Sequence, residues 1–317
     1  VCEAGGLGFL AAGYKTATAL DDEIKALRRL TRRPFAVNVF YPVREPIDDA
    51  HVAAYVDRLA GEAARYGVAV GEPRWTDDDW EAKLELVRRE RPAVVSFTFG
   101  CPDKEIVAEL RTARTGVWCT VTSQPEAEQA VSAGVDALVV QGGEAGGHQG
   151  SFHDHSNDPF PLLTLLQLVQ RVTDLPLIAA GGIATAEAIA AVLASGASAA
   201  QLGTALLLTP EAGTAVAHQQ ALRDDRPTRL TRAFTGRRAR GIVNRFMLDH
   251  DGAAPIAYPE IHYVTAPIRA AARASDDSET INLWAGQAYQ LTREKPASEL
   301  VEELAHEVAR IGPAAIA

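Results

Sequence analysis

Sulfur is scarce in this sequence. Its three cysteines, Cys2, Cys101 and Cys119, are odd in number and far apart, with neither CxxC metal spacing nor a disulfide framework. A reducing cytoplasm is the economical reading. The single methionine is Met247 and the chain opens on Val1, so a segment ahead of it is expected, and any secretory signal would lie there. No apolar run approaches the roughly 20 residues that a membrane helix needs. Positive charge is in deficit, with 31 Lys and Arg against 41 Asp and Glu for a net charge of −10. Such a surface lacks the clustered cations that displace counterions from nucleic-acid phosphates. A small anionic substrate stays open, because a cleft can carry the sign opposite to the whole. No GxGxxG follows a strand and no GxxxxGK(S/T) occurs, so Rossmann and P-loop readings have no phosphate cradle. The GxSxG elbow is missing too, which argues against an α/β-hydrolase.

What remains is an alternation of short apolar and longer amphipathic stretches. At 317 residues, 47% hydrophobic and 23% charged, the chain suits one large α/β barrel. Val-, Ala- and Phe-rich runs at Pro34–Phe40, Pro92–Gly100, Gly116–Ser123, Val135–Gly142, Leu175–Gly182 and Ser198–Thr204 read as buried strands. Helix-period segments lie at Asp21–Leu30, Asp48–Tyr66, Asp79–Arg89, Lys104–Ala113, Pro125–Ala133, Leu162–Val172 and Thr185–Ser195. Near-continuous apolar strands separated by helices indicate a parallel sheet covered on both faces. "AVSAGVDALVVQGG" and "VLASGASAAQLGTA" repeat one helix-to-strand step, and "GGLGFLAAG" (Gly5–Gly13) is a third copy.

The expected fold is therefore a TIM-type (β/α)8 barrel whose first strand lies in roughly 25 to 30 residues ahead of Val1. Residues 1–210 would form its main part. Residues 211–317 would add the remaining barrel element and a helical part on the substrate side, ending in an acidic helical tail over Ser275–Ala317. Within it Glu211–Phe246 carries eight Arg. Those of Thr231–Phe246 read mostly as a solvated or salt-bridged face, one of them able to attract an anion. Asp249–Pro267 is punctuated by Pro and aromatics.

Two glycine-rich strand ends, Ala179–Thr185 (AAGGIAT) and Gln201–Leu206 (QLGTAL), become neighbours at the carboxyl rim of such a barrel. Exposed backbone N–H groups there suit a phosphate dianion. Gly181, Gly182 and Gly203 alone could equally serve tight packing; the pair of motifs, with Leu202 between and the Thr204 hydroxyl beside them, favours phosphate. Asn38 and Gln141 are strand-end amides that either meet the edge of a heterocycle or cap their own loops.

After Gln141, the stretch Val139–Phe152 sets five glycines, Gly146 among them, around Glu144 and His148. The glycines would let the loop lie flat against a planar cofactor. His148 could act as a base or as a cationic donor near neutrality, or be a structural loop histidine. Glu144 is either its support or an exposed acid. His148, His153, His155 and Asp158 lack a zinc spacing, so no metal is expected. Cys101 has no evident base and is not expected to be a nucleophile.

In order along the chain, "GGLGFLAAGY", "VVSFTFGCP", "VVQGGEAGGHQGSF", "LIAAGGIAT", "QLGTALLLTPEAG", "TGRRARGIVNRF" and "INLWAGQAY" resemble the nitronate monooxygenases, formerly called 2-nitropropane dioxygenases. The resemblance runs from Gly5 to about Tyr289. It implies a TIM-like barrel with an extra helical domain, non-covalent FMN, and oxidation of alkyl nitronates by O2 to a carbonyl compound and nitrite. Nitroalkanes are possible further substrates. By the same resemblance Asn38, Gln141, Gly146, Gly182 and Gln201 through Thr204 match FMN-binding positions, and His148 matches the active-site histidine. The family's first strand has no counterpart here. Related NAD(P)H-dependent barrels, enoyl-thioester and quinone reductases, share the GGH loop, whereas "SFTFGCP" and "NLWAGQAY" favour the nitronate enzymes. The partners implied are a small nitronate and O2, with no nucleic acid or membrane, and the chain acting as a monomer or homodimer.

Overall fold

The computed structural model describes residues 1–154 and 158–312. Its first half runs β1 (Gly8–Ala11), α1 (Ala17–Leu30), β2 (Phe35–Phe40), α2 (Asp49–Arg58), α3 (Ala60–Arg65), α4 (Trp80–Glu90), β3 (Val94–Thr98), α5 (Lys104–Thr112), β4 (Gly116–Val121), α6 (Gln124–Ala133) and β5 (Ala137–Gln141). Then follow β6 (Gly147–His148), α7 (Leu162–Gln170), β7 (Leu177–Ala180), α8 (Ala186–Ala194), β8 (Ala199–Gln201), α9 (Val216–Ala221), β9 (Thr228–Thr231), β10 (Ala239–Ile242), α10 (Arg245–His250), α11 (Glu260–Ala274) and α12 (Ala297–Ile311). Among these residues no helix is long and apolar enough to cross a membrane.

Seven strands form one parallel sheet in the order β1-β2-β3-β4-β5-β7-β8. Sheet order equals chain order, with a helix between most neighbours, which is the curled topology of a TIM-type barrel. The seven account for every strand read from the apolar runs; β1 and β8 are the edges among the described residues. Strand alternation then decides which side chains reach the site. Val37, Val39, Val95, Phe97, Val117, Cys119, Leu138 and Val140 face outward into a core with Leu20, Ile24, Leu84, Val87, Leu110 and Leu165. Positions between them face inward: Val139, Ile178 and Trp118 pack together, and Asn38, Thr98 and Thr120 form a polar rim at the carboxyl ends. Truncating fully buried Phe97 to Ala would cost about 3–5 kcal/mol.

Helix starts follow local chemistry. Thr16, Ser123 and Thr185 accept from the N–H groups of Ala19, Glu126 and Ala188, capping α1, α6 and α8. Elsewhere the expectations need correction. The single helix over Asp48–Tyr66 divides at Leu59, just ahead of Gly61, a poor helix former. Three short strands, β6, β10 and β9, make a separate antiparallel sheet. β9 reads TRLT and β10 reads ARGI, too short and too charged for apolar alternation to show.

The Pro-punctuated stretch up to Pro267 is largely helical, because α11 passes through that proline. Pro267 leaves the Tyr263 carbonyl without its usual donor, and the chain at Gly71 lies against this turn, donating to the Val264 carbonyl at 2.9 Å. A Cβ on Gly71 would fall 2.0 Å from the Tyr263 oxygen, so glycine is required. The tail is helical only from Ala297. There Leu300 and Leu304 pack on Ala186 of α8. A second core joins α2, α10 and α11 through Tyr55, Phe246, Ile261 and Val264.

Candidate active site

The loop after β5 is held from several sides. Gln141 staples it internally: its Oε1 accepts from Gly150 N at 2.7 Å, and its Nε2 donates to the His148 carbonyl at 3.1 Å. Of the two readings for this amide, the loop cap is the geometry found. Glu144 is neither exposed nor in contact with His148. Both its oxygens accept from Leu162 N at 3.0 Å, placing a carboxylate at the positive end of α7. Arg240 donates to the Gly143 carbonyl at 2.8 Å. Distant chain closes over the top, where Gln287 N donates to the Glu144 carbonyl at 2.9 Å and Gly286 N to Thr204 Oγ1 at 3.0 Å. Gly146 is what admits this segment, since a Cβ there would lie 2.5 Å from Gly286 N.

Between this loop and the ends of β7 and β8 lies a cavity of about 110 Å³. Gln141, Gly146, Gly181, Gly182, Gln201, Gly203 and Thr204 line it, joined by Gly286 and Ala288. Gly181 and Gly182 have φ of 109° and 67°, left-handed values that L side chains adopt only under strain. The Cβ position of Gly203 meets nothing within 4 Å, so backbone there faces open space. Glycine backbone, a threonine hydroxyl and the start of α8 are a donor set suited to a phosphate. Leu202 turns instead toward the core. Asn38 lies apart from this lining, its Nδ2 donating to Ser96 Oγ at 2.8 Å and Thr98 Oγ1 at 2.9 Å.

His148 occupies a different environment. β6 pairs it with Ala239 of β10, and its ring sits 5.5 Å from Tyr258, 5.7 Å from Trp284, 5.8 Å from Phe99 and 6.5 Å from Tyr14, centre to centre. Nε2 lies 2.9 Å from Thr235 Oγ1. That hydroxyl also lies 3.1 Å from the Arg237 carbonyl, which can only accept. With the single hydroxyl proton given to that carbonyl, both contacts are satisfied when Nε2–H donates to Thr235. The network therefore assigns the Nε2–H tautomer, leaving the Nδ1 lone pair as the basic site. Burial first, then the cations of Arg237 and other neighbours, push the imidazole down to about 3, so it is neutral near pH 7.

The aromatic walls are themselves constrained. Tyr258 donates to the Tyr14 hydroxyl at 2.8 Å, and Tyr14 stacks on His262 at 4.0 Å. Burial raises the Tyr258 phenol; Tyr14, 41% exposed, forms the outer side of the box. Tyr14 and Phe99 hold φ of 62° and 76°, strain of about 1–3 kcal/mol each that the surrounding packing must offset. None of Tyr14, Phe99, Thr235, Tyr258, His262 or Trp284 was among the candidates from sequence. Tyr14, Phe99, Thr235 and Trp284 lie within stretches that carry the family resemblance, and Tyr258 and His262 within the aromatic-punctuated one, but nothing in those stretches singled them out.

The arginine cluster is salt-bridged at Arg232, Arg238 and Arg245, one of the two faces expected, and departs from that expectation at two buried members. Arg237 and Arg240 are 4% and 8% exposed, while Arg232 and Arg238 share the buried carboxylate of Asp154. His153 is exposed and pairs with Glu45 at 2.9 Å; His155 lies outside the described residues. Among the described residues no cluster could hold a metal. Cys101 and Cys119 are buried free thiols.

The family model for nitronate monooxygenase matches residues 1–307 of this chain. The chain belongs to the nitronate monooxygenase family. It is 38% identical to a nitronate monooxygenase of Paraburkholderia phytofirmans, over 97% of this chain and 87% of that protein. Its fold is similar to the nitroalkane oxidase from Streptomyces ansochromogenes, with TM-score 0.97 and 51% identity, covering 100% and 92% of the two chains. It is also similar, more loosely, to FabK from Thermotoga maritima, with TM-score 0.74 and 25% identity over 98% and 87%. In this chain the cradle at β7 and β8 and the aromatic box at His148 stand side by side, bridged by the loop that Gln141 holds.

Proposed function

We propose that this chain oxidises alkyl nitronates, and nitroalkanes after deprotonation, to a carbonyl compound and nitrite with O2. The observation that carries this reading is the neutral His148, with a free Nδ1, inside an aromatic and cationic box beside a glycine cradle. The family is one of flavoproteins. We infer FMN, because the cradle offers donors for one terminal phosphate: Gly181, Gly182, Gly203 and Thr204 would hold it, and Gly146 would give clearance for the ring. Bound flavin would supply the redox chemistry, taking electrons from the substrate carbon and delivering them to O2.

The remaining tasks fall to protein groups. Thr235 fixes the imidazole so that Nδ1 takes the α-proton of a nitroalkane. A nitronate, already deprotonated, does not need that step. Phe99, Tyr258 and Trp284 exclude water from the reacting carbon. We also propose residues 1–210 as the flavin-holding part and 211–317 as the substrate side, in a cytoplasmic monomer or homodimer.

The test is O2 uptake by purified, FMN-loaded protein given an alkyl nitronate, with nitrite and carbonyl product measured together. NADH oxidation without nitronate, in place of that activity, would select the reductase chemistry of the more distant relatives.

A further inference from the structure

Two guanidinium groups beside the box are buried with no carboxylate in contact among the described residues. Arg237 is 4% exposed and Arg269 is 7% exposed, in a chain of net charge −10. Arg237 commits Nε to the Gln149 carbonyl at 3.4 Å and Nη2 to the carbonyl and hydroxyl of Ser151. Its Nη1 has no hydrogen-bond partner among the described residues. The guanidinium carbon stands 4.1 Å from the Phe99 ring centre and 5.8 Å from that of Tyr258. Asp154, whose field reaches it, is held by Arg232 at 2.8 Å and Arg238 at 3.0 Å. Arg269 meets only neutral acceptors, Thr265 Oγ1 at 3.0 Å, the His262 carbonyl at 2.8 Å and Asn282 Oδ1 at 3.4 Å.

Burying an ion without a counter-charge costs several kcal/mol. A ring face returns only part of that. Asp154 and Glu45 act on Arg237 only through space, so both arginines leave a positive potential in the box that no carboxylate in contact neutralises. A fold retains so costly an arrangement more readily where a ligand completes it. His148 faces Tyr14, Phe99, Thr235, Tyr258 and Trp284, with Arg237, His262 and Arg269 around it. The arginines are the charged members of that set.

Resting on the nitronate reading above, we propose that Arg237 is the anion-recognition residue of this site, its Nη1 amine binding the delocalised oxygens of the nitronate head, with Arg269 adding to the same potential. The ligand class is a small planar oxyanion: nitronate as substrate, nitrite as product, nitrate as an inert mimic. Phe99 and Tyr258 hold the guanidinium plane and exclude water, which strengthens a charge-assisted hydrogen bond. Recognition and proton transfer are then divided. Arg237 meets the anion, and neutral His148 serves the substrate that arrives protonated.

The probe is sodium nitrate, titrated calorimetrically into the FMN-loaded protein, with competition against nitronate followed kinetically. Wild type is expected to bind nitrate competitively, and Arg237→Met to lose about tenfold or more in affinity, as expected for losing one charged hydrogen bond. The variant should keep its FMN, show a higher KM for nitronate by a similar factor, and raise KM for neutral nitroalkane by a smaller one. Should Arg237→Met fail to fold, Arg237→Gln, which keeps an N–H donor for Ser151, carries the same expectation. Wild type that binds no nitrate, or a folded variant that binds it as tightly as wild type, overturns the proposal. Nitrate binding through Arg237 in a protein that never oxidises nitronate would remove the functional reading and leave the anion site standing.

Discussion

The glycine cradle at β7 and β8 and the aromatic box around His148 share one rim but are built in opposite ways. The cradle is mostly backbone: Gly181, Gly182 and Gly203 shape it, and their strands and helix lie adjacent in sequence. The box is entirely side chain, gathered from Tyr14, Phe99, Thr235, Tyr258 and Trp284 on five separate segments. A backbone site tolerates little added volume but needs no particular neighbours. A side-chain site tolerates single losses of volume but depends on charge and tautomer. Substitutions in the two regions should therefore fail differently.

The largest effect is expected where the two regions meet. Gly146→Val drives a side chain into the backbone of Ala285 and Gly286, with Cβ already 2.5 Å from Gly286 N. Overpacking against backbone costs about 1–3 kcal/mol or more, and here it would lift the segment that closes the cradle. The expected outcome is a destabilised protein that retains no FMN, read from flavin absorbance per chain and from Tm. A Gly146→Val protein carrying stoichiometric flavin would break the comparison. Next comes His148→Ala, a loss within the box. FMN should stay, nitroalkane turnover should fall by about 10²–10⁴-fold, and nitronate turnover should fall much less. Equal losses on both substrates would show that His148 does not act as the base.

The same contrast explains what could be read in advance. Strands such as Phe35–Phe40 and Val94–Thr98 were legible because a parallel barrel buries both faces and leaves unbroken apolar runs. The cradle was legible because its glycines sit in two contiguous motifs. His148 stood out within its own glycine loop. Thr235 and Arg237 did not, because their roles depend on a three-strand sheet, β6-β10-β9, with no periodic signal of its own. Tyr14 and Phe99 sit in stretches that carry the family resemblance, but their place in the box shows only in the structure, where both have a left-handed backbone. Glu144 was recognisable as a loop acid, but its partner, Leu162 N, belongs to a helix start eighteen residues on.

Acid should separate the regions more gently. His148 and His262 are both pushed down to about 3, chiefly by burial, against an ordinary value near 6.5. Between those values the unfolded chain binds more protons than the folded one, so stability rises with pH. The contribution is complete above about pH 6.5 and is lost progressively as pH falls toward 3. Urea midpoints measured from pH 7.5 to 4.5 should fall, and a His148→Asn, His262→Asn double variant should flatten that slope. An unchanged slope would mean that the histidines titrate freely and that the box is wet.

The smallest and most direct comparison uses one threonine from each region. Thr204→Val removes the acceptor for Gly286 N, and Thr235→Val removes the acceptor for His148 Nε2–H. Thr204→Val deletes one hydrogen bond, and Thr235→Val also loses the bond to the Arg237 carbonyl. At about 0.5–1.5 kcal/mol net for each bond, small drops in Tm are expected, the larger for Thr235→Val. Their functional signatures should diverge. Without Thr204 the closing segment loosens and FMN affinity weakens, while kcat in saturating FMN stays near wild type. Without Thr235 nothing fixes the imidazole tautomer, so FMN affinity is unchanged and nitroalkane kcat drops about tenfold, roughly 1.4 kcal/mol in barrier. Nitronate, which brings no proton, should show little change in the Thr235→Val enzyme. If Thr235→Val slowed both substrates alike, the hydroxyl would be holding the box together and not aiming Nδ1.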